Sequence, residues 1–189
     1  MQSEFNFQKF KEEVILAVKK AFLEIMEEYK DSTVYAFSLT CDSAVRSIGV
    51  VANTKESLEE QIEDEEDRYY YKFCEQEWEI WDAADDEFQK LRNMLVEFQE
   101  NNEDEISDSE TCIYTEFFEE YREKIFDICV QALIEIKNEG FFQNKCNEDI
   151  FINFMVPEYL DEEDSIEIFS KINSGKIVKE YKEHIEDFI

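Results

Sequence analysis

Apolar residues return at three- and four-residue steps through Phe5–Tyr29, at Phe7, Phe10, Val14, Ala17, Val18, Ala21, Phe22 and Ile25. Lys11, Glu12, Lys19, Lys20, Glu24 and Glu28 fill much of the opposite side, so this stretch predicts an amphipathic helix. The period then changes to two. In Thr33–Cys41, Tyr35, Phe37 and Leu39 alternate with Ala36 and Ser38, and a second β-rich run, Arg46–Ala52, follows the turn residues Asp42-Ser43-Ala44. A hairpin is expected, with Tyr35, Phe37 and Leu39 on one face. Asn53, with Glu56 three residues on, reads as the N-cap and capping-box partner of a helix reaching about Glu65, anchored by Leu58 and Ile62.

The segment Arg68–Trp81 keeps neither period, and a short extended stretch followed by a helical turn is its simplest reading. Regularity returns over Ala83–Glu100, where Phe88, Leu91, Leu95 and Phe98 form one stripe. Asn101–Glu110 is acidic, with Ile106 its one packing residue, and reads as a mobile loop near 101–110 within a single domain spanning 1–189. A helix over Tyr114–Asn138 carries a stripe broad enough to touch two layers, and Gly140 is placed to end it in a left-handed conformation. Ile150–Val156 is apolar on both faces, which predicts a strand interior to the sheet, stopped by Pro157. Helices around Ser165–Lys171 and from Lys176 complete the chain. The expected fold class is α+β: a small, largely antiparallel sheet of three or more strands packed against several amphipathic helices.

Composition narrows what such a fold does. The 189 residues include 49 Asp and Glu against 19 Lys and Arg, a formal net charge of -30. With 15% aromatic residues the chain has the makings of a core, unlike an acidic tail. The charge argues against nucleic acid and against an anionic membrane surface as partners, since both require clustered Lys and Arg. The N-terminus has neither the basic nor the apolar region of a secretory signal, and no apolar run approaches the ~18 residues of a membrane helix. Cys41, Cys74, Cys112, Cys129 and Cys146 are odd in number and scattered, as befits free thiols in a reducing compartment. A cytoplasmic location is expected.

Candidate chemistry is sparse. His184, between Glu183 and Glu186, is the one histidine and reads as a solvated helix residue rather than a general base. The chain lacks a nucleophile elbow, a phosphate loop, a dinucleotide fingerprint and a zinc-protease helix motif. The acidic run 101–110 lacks the glycine and spacing of a calcium loop. The expectation is therefore a non-enzyme with no catalytic residues, no metal and no cofactor.

The segment 69–82 stands out instead. Tyr69, Tyr70, Tyr71, Phe73, Trp78 and Trp81 interleave with Glu75, Glu77, Glu79 and Asp82. Six such rings cannot all lie exposed without forming a sticky patch. Either most are core, or some anchor an interface, where Trp and Tyr are typical hot-spot residues. Charge is also unevenly placed: from Glu56 to Glu110 there are 22 acids and four bases, which carry -18 of the total. That stretch either solvates a face or steers a basic partner. Candidate partner-binding residues are Glu63, Asp64, Glu66, Tyr70, Glu75, Glu77, Trp78, Trp81 and Asp85.

Several local stretches occur in a familiar order. They are the Ala-containing first helix, Tyr35-Ala36-Phe37-Ser38-Leu39, Ala52-Asn53-Thr54-Lys55-Glu56, the aromatic stretch ending in Glu77-Trp78, and Glu139-Gly140-Phe141-Phe142 ahead of a late strand. In this the chain resembles the bacterial family called domain of unknown function 4303, from roughly Phe5 to His184. Where that family often has a Trp-Ser-Pro-like stretch, this chain has Phe73-Cys74-Glu75-Gln76. The resemblance implies no established activity and no catalytic residues. Such proteins look similar in genomic style to immunity proteins of contact-dependent and polymorphic toxin systems. Two functional classes lead, beside a structural or regulatory module that self-associates. One is a cytosolic protein-binding module, an immunity protein whose acidic middle and exposed rings occlude a basic toxin domain. The other is a small-molecule-binding or carboxylate-dependent enzyme domain with a pocket near 69–81. On the first reading, binding weakens with added salt, and Trp78→Ala or Trp81→Ala costs at least about 2 kcal/mol of affinity.

Overall fold

The three- and four-residue period of the first segment becomes α1 (Phe7–Glu28), opened by Asn6, whose side chain accepts the Lys9 N–H, and buried along Phe10, Val14, Val18, Phe22 and Ile25. The computed structural model describes residues 4–108, 111, 113–146 and 149–187. After α1 come β1 (Val34–Cys41), β2 (Ile48–Thr54), α2 (Lys55–Gln61), α3 (Arg68–Phe73) and β3 (Ile80–Trp81). Then follow α4 (Asp85–Asn101), α5 (Glu103–Ile106), α6 (Glu116–Asn138), β4 (Phe151–Met155), α7 (Glu162–Ile172) and α8 (Lys176–Asp187). Among the described residues no helix is long and apolar enough to cross a membrane.

The fold is α+β, and the four strands among the described residues lie in the order β3-β2-β1-β4. β1 pairs antiparallel with β2, and β2 with β3, but β4 runs parallel to β1, so the sheet is mixed. β4 is therefore an edge strand and not an interior one. Its apolar character on both faces comes from helices that cover both sides of the sheet. The missing neighbour is replaced by one side chain. Asn173, just past α7, donates from Nδ2 to the Ile152 carbonyl at 2.6 Å and accepts the Ile152 N–H on Oδ1 at 3.1 Å. The amide takes the place of a strand partner at that residue.

One face of the sheet, with Phe37, Leu39, Ile48, Val50, Ile152 and Phe154, packs against α1, α4 and α6. The other carries Tyr35, Ala36, Val51 and Phe151 beneath Leu58 of α2, Phe73 of α3, Trp78, Phe169 of α7 and Tyr181 of α8. Tyr35 does not share the Phe37 and Leu39 face as its alternation predicts. The β1–β2 register shifts between Val34 and Ala36, and this irregularity turns Tyr35 to the second face. At the centre of that face is Phe151, whose ring lies 5.4 to 5.8 Å from those of Phe73, Phe169, Tyr35 and Trp78.

Local differences from the sequence reading have local causes. β2 runs on through Thr54, so Thr54, not Asn53, caps α2, accepting the Ser57 N–H at 3.1 Å. Asn53 is a buried strand residue that donates to the Tyr35 hydroxyl at 3.3 Å. Glu56 accepts the Thr33 N–H at 2.8 Å and ties α2 to the start of β1 instead of closing a capping box. Between Arg68 and Trp81 the helix comes first and the extended piece last, the reverse of the expected order, because Tyr69 and Phe73 stack one helical turn apart at 6.3 Å. In the acidic run, α4 reaches Asn101, Glu103–Ile106 forms a helical turn and Ser107 bridges to Tyr114. Ser109 and Glu110, which belong to the same expected loop, lie outside the described residues. Gly140 does take the left-handed conformation, with φ of 72°, just past α6.

Phe151→Ala removes the ring on which four others converge and should lower the unfolding free energy by about 3–5 kcal/mol in urea titrations. Leu16→Ala, on the solvent side of α1 at 61% exposure, should change it by less than about 0.5 kcal/mol.

Candidate functional site

β3 has two residues, and they point opposite ways. Ile80 enters the core, while Trp81, paired with Val51 at the sheet edge, is 46% exposed. The Trp81 indole is not loose: its N–H donates to the Trp78 carbonyl at 2.7 Å. Beyond it the chain turns through Asp82 and Ala84, both left-handed with φ of 62° and 52°. Such backbone costs a non-glycine residue about 1 kcal/mol or more. It is held here by Glu24 of α1, which accepts the Ala84 N–H at 2.7 Å. The turn shapes a cleft of about 570 Å³ beside the indole, lined by the carboxylates of Glu24, Glu28, Glu79, Asp82, Asp85 and Asp86 and by a single cation, Lys20. Lys20 is already engaged by Glu87 at 2.9 Å.

The nine candidates do not form one surface. Trp81 and Asp85 belong to this acidic edge, with Asp85 also paired to Arg92. Trp78 is 2% exposed and packs between Tyr35 and Phe151, so it is a core residue and not a contact for a partner. Glu75 is buried too, which removes it from any docking face. Tyr70 is half-buried and donates to Glu77 at 3.0 Å, and the Glu77 carbonyl accepts Gln61 at 2.6 Å. Glu63, Asp64 and Glu66 are exposed on the turn between α2 and α3, outside the lining of the Trp81 cleft. Glu24 and Glu28 were missed by the charge count because they lie in α1, far from the acidic middle of the sequence. Their i,i+4 spacing on the polar side of α1 was the one available signal.

Glu75 anchors a buried polar network on the second face. Asn153 of β4 donates to its Oε1 at 2.5 Å. Burial pushes the Glu75 carboxyl up to about 7, with the Asn153 bond opposing the rise. Burial also pushes the Tyr181 hydroxyl up, reinforced by the charge of Glu75 and opposed by a bond from Asn153. His184 is buried as well, 5.5 Å from the Phe73 ring, and not solvated as expected. The cause is Tyr181, stacked on Phe169 at 4.0 Å, which turns that side of α8 inward. The arrangement can hold a proton on Glu75 near neutral pH. Among the described residues no group of three or more His, Cys, Asp or Glu is placed to hold a metal ion. Cys41, Cys74, Cys129 and Cys146 are free thiols, and Cys112 lies outside the described residues.

The raised Glu75 carboxyl has a stability consequence of definite sign. Folding moves it from 4.5 to about 7, so between those values the folded chain holds a proton that the unfolded chain has released. The penalty is absent below about pH 4.5, grows through the window and is complete above about pH 7, where it amounts to roughly 3 kcal/mol. Glu75→Gln keeps the acceptor for Asn153 and removes the titration. Relative to the parent it should flatten the loss of stability between about pH 5 and 8 and gain roughly 2–3 kcal/mol at pH 8. Urea titrations at the two pH values measure both, and parallel curves for parent and variant would refute the assignment.

No curated protein and no solved structure matches the chain. A family described as "Domain of unknown function (DUF4303)" does, over residues 15–174. The matched span runs from within α1 to the turn ahead of α8 and takes in the whole sheet and the Trp81 edge. The chain belongs to the DUF4303 family.

Proposed function

We propose that this chain is a non-enzymatic protein-binding module that receives a basic protein domain on the acidic edge around Trp81, and that it acts as an immunity protein whose partner is a toxin domain. The observation that carries the reading is an exposed tryptophan fixed in orientation and set among six carboxylates. A ring already locked by its indole bond loses little freedom on binding, which is what makes an aromatic anchor effective. The surrounding carboxylates raise the rate of encounter with a positively charged partner. Two left-handed residues and a concentration of like charge both cost the isolated fold stability, and a partner that uses them accounts for the cost. Trp78 serves this site from behind, through its carbonyl and its place in the core. The toxin class of the partner rests on the likeness to immunity proteins that the family resemblance implies and on the basic groove that a nuclease-like domain offers to carboxylates.

The probe is the protein encoded by the adjacent reading frame, measured by interferometry against this chain at about 50 and 500 mM salt. The higher salt should weaken binding at least about tenfold, since exposed charges are screened beyond a few ångströms there. Trp81→Ala should weaken it at least about 30-fold, equivalent to about 2 kcal/mol, with the melting temperature unchanged. Binding insensitive to salt, full affinity in Trp81→Ala, or no binding at all would each count against the proposal.

A further inference from the structure

A second cleft, of about 820 Å³, opens where α2, α3, the C-terminal end of α6, the start of β4 and the start of α8 meet. Its charge runs against the chain. Overall there are 49 acids and 19 bases, yet the charged residues lining this cleft are Lys55, Arg68, Lys72, Lys137 and Lys176 against Glu59, Asp149 and Glu180. These five bases come from four different helices, so no run of basic sequence announces them.

The way the cations are neutralised leaves positive charge over. Lys72 and Lys176 share the single carboxylate of Glu180, at 2.6 and 2.7 Å. Lys137 is half-buried and donates to a neutral group, Asn173 Oδ1, at 2.7 Å. Among the described residues it meets no carboxylate. Burial lowers it to about 8, so its charge is held at a cost that a bound counter-ion would remove. Arg68 is matched by Glu59 and Glu65. The first turn of α8 carries no acid, and Ser174 and Lys176 bring its N-terminal end to the cleft, where the helix dipole adds to the same field. Between the charges are apolar walls: Tyr35, Leu58, Tyr69 and Ile177. A concave site of this size, in which charges converge between apolar walls, can orient a small molecule by its charged head and hold its body by burial.

From this juxtaposition we infer that the cleft binds a small molecule with a phosphate-monoester head on an aromatic or apolar body, the head lying against Lys72, Lys137 and Lys176 and the body against Tyr35 and Tyr69. Lys72, Lys137 and Lys176 together meet one carboxylate, that of Glu180, and this surplus of two positive charges matches a dianionic head better than a single carboxylate. The inference is independent of the Trp81 reading, because the two clefts share no lining residue.

Phenyl phosphate, inorganic phosphate and phenol, titrated into the full chain at about 25 mM salt and followed by amide NMR shifts, separate the contributions of head and body. Phenyl phosphate should bind at one site at least about tenfold more tightly than either phenol or inorganic phosphate. The shifts should map to α3, the end of α6 and the start of α8. Lys137→Gln should weaken it about tenfold without lowering the melting temperature, and Lys72→Gln, on a different helix, should do likewise. Trp81→Ala should leave it unchanged. Phenol binding as tightly as phenyl phosphate, no shifts with either phosphate up to about 10 mM, full affinity in both lysine variants, or binding of a single-stranded oligonucleotide in preference to phenyl phosphate would each overturn the inference.

Discussion

The second layer of this protein depends on the contact of one ring with four others. Phe151 projects from an edge strand, and Tyr35, Phe73, Trp78 and Phe169 meet it at centroid distances of 5.4 to 5.8 Å. Such ring pairs contribute beyond their buried area, and here each belongs to a different segment. Through them β1, α3, the 74–78 turn and α7 are referred to a single point. α8 joins one step removed, through Tyr181 stacked on Phe169. Both proposed binding surfaces are built on this layer: Trp81 is oriented by the Trp78 carbonyl, and the basic cleft is walled by α3 and α8.

An edge strand is an awkward place for such a keystone, since β4 has a free row of backbone groups. The Asn173 amide resolves this by pairing with both polar groups of Ile152, and its Oδ1 also accepts from Lys137. One side chain therefore caps the sheet edge at Ile152 and holds one of the ammonium groups that line the basic cleft. The Lys72 and Glu180 pair ties α3 to α8 across the same cleft. It is partly buried, which lets it act as a geometric clasp more than as a source of net stability.

Elements whose burial follows one period were legible in the sequence. α1, α4 and α6 carry stripes that face a single large core, and the hairpin alternates as strands do. What escaped was set by contacts between distant segments. The register shift at Val34 and Ala36, which turns Tyr35 over, has no local signature. The edge position of β4 was hidden because helices bury both its faces, and His184 was read as solvated because its neighbours in sequence are acidic, whereas its neighbours in space are Phe73 and Tyr181. At the candidate site, the acidic middle of the chain pointed to Trp81 and Asp85 but equally to Glu75 and Trp78, which are buried. The basic cleft escaped entirely, because it gathers lysines from Lys55 to Lys176.

The stretch from Phe73 to Trp81 shows why neither reading of its aromatic and acidic pattern sufficed alone. Phe73, Glu75, Trp78 and Ile80 turn inward, while Gln76, Glu79 and Trp81 turn out. One segment thus supplies both the core that fixes the second layer and the single ring offered to solvent. A carboxyl at position 75 is the costly choice in that arrangement, because a neutral side chain of similar shape would avoid the penalty that burial imposes above pH 7. The cost falls on the turn that places Trp78, and Trp78 in turn holds Trp81. The turn that carries this buried carboxyl therefore also carries the backbone carbonyl that holds the exposed indole.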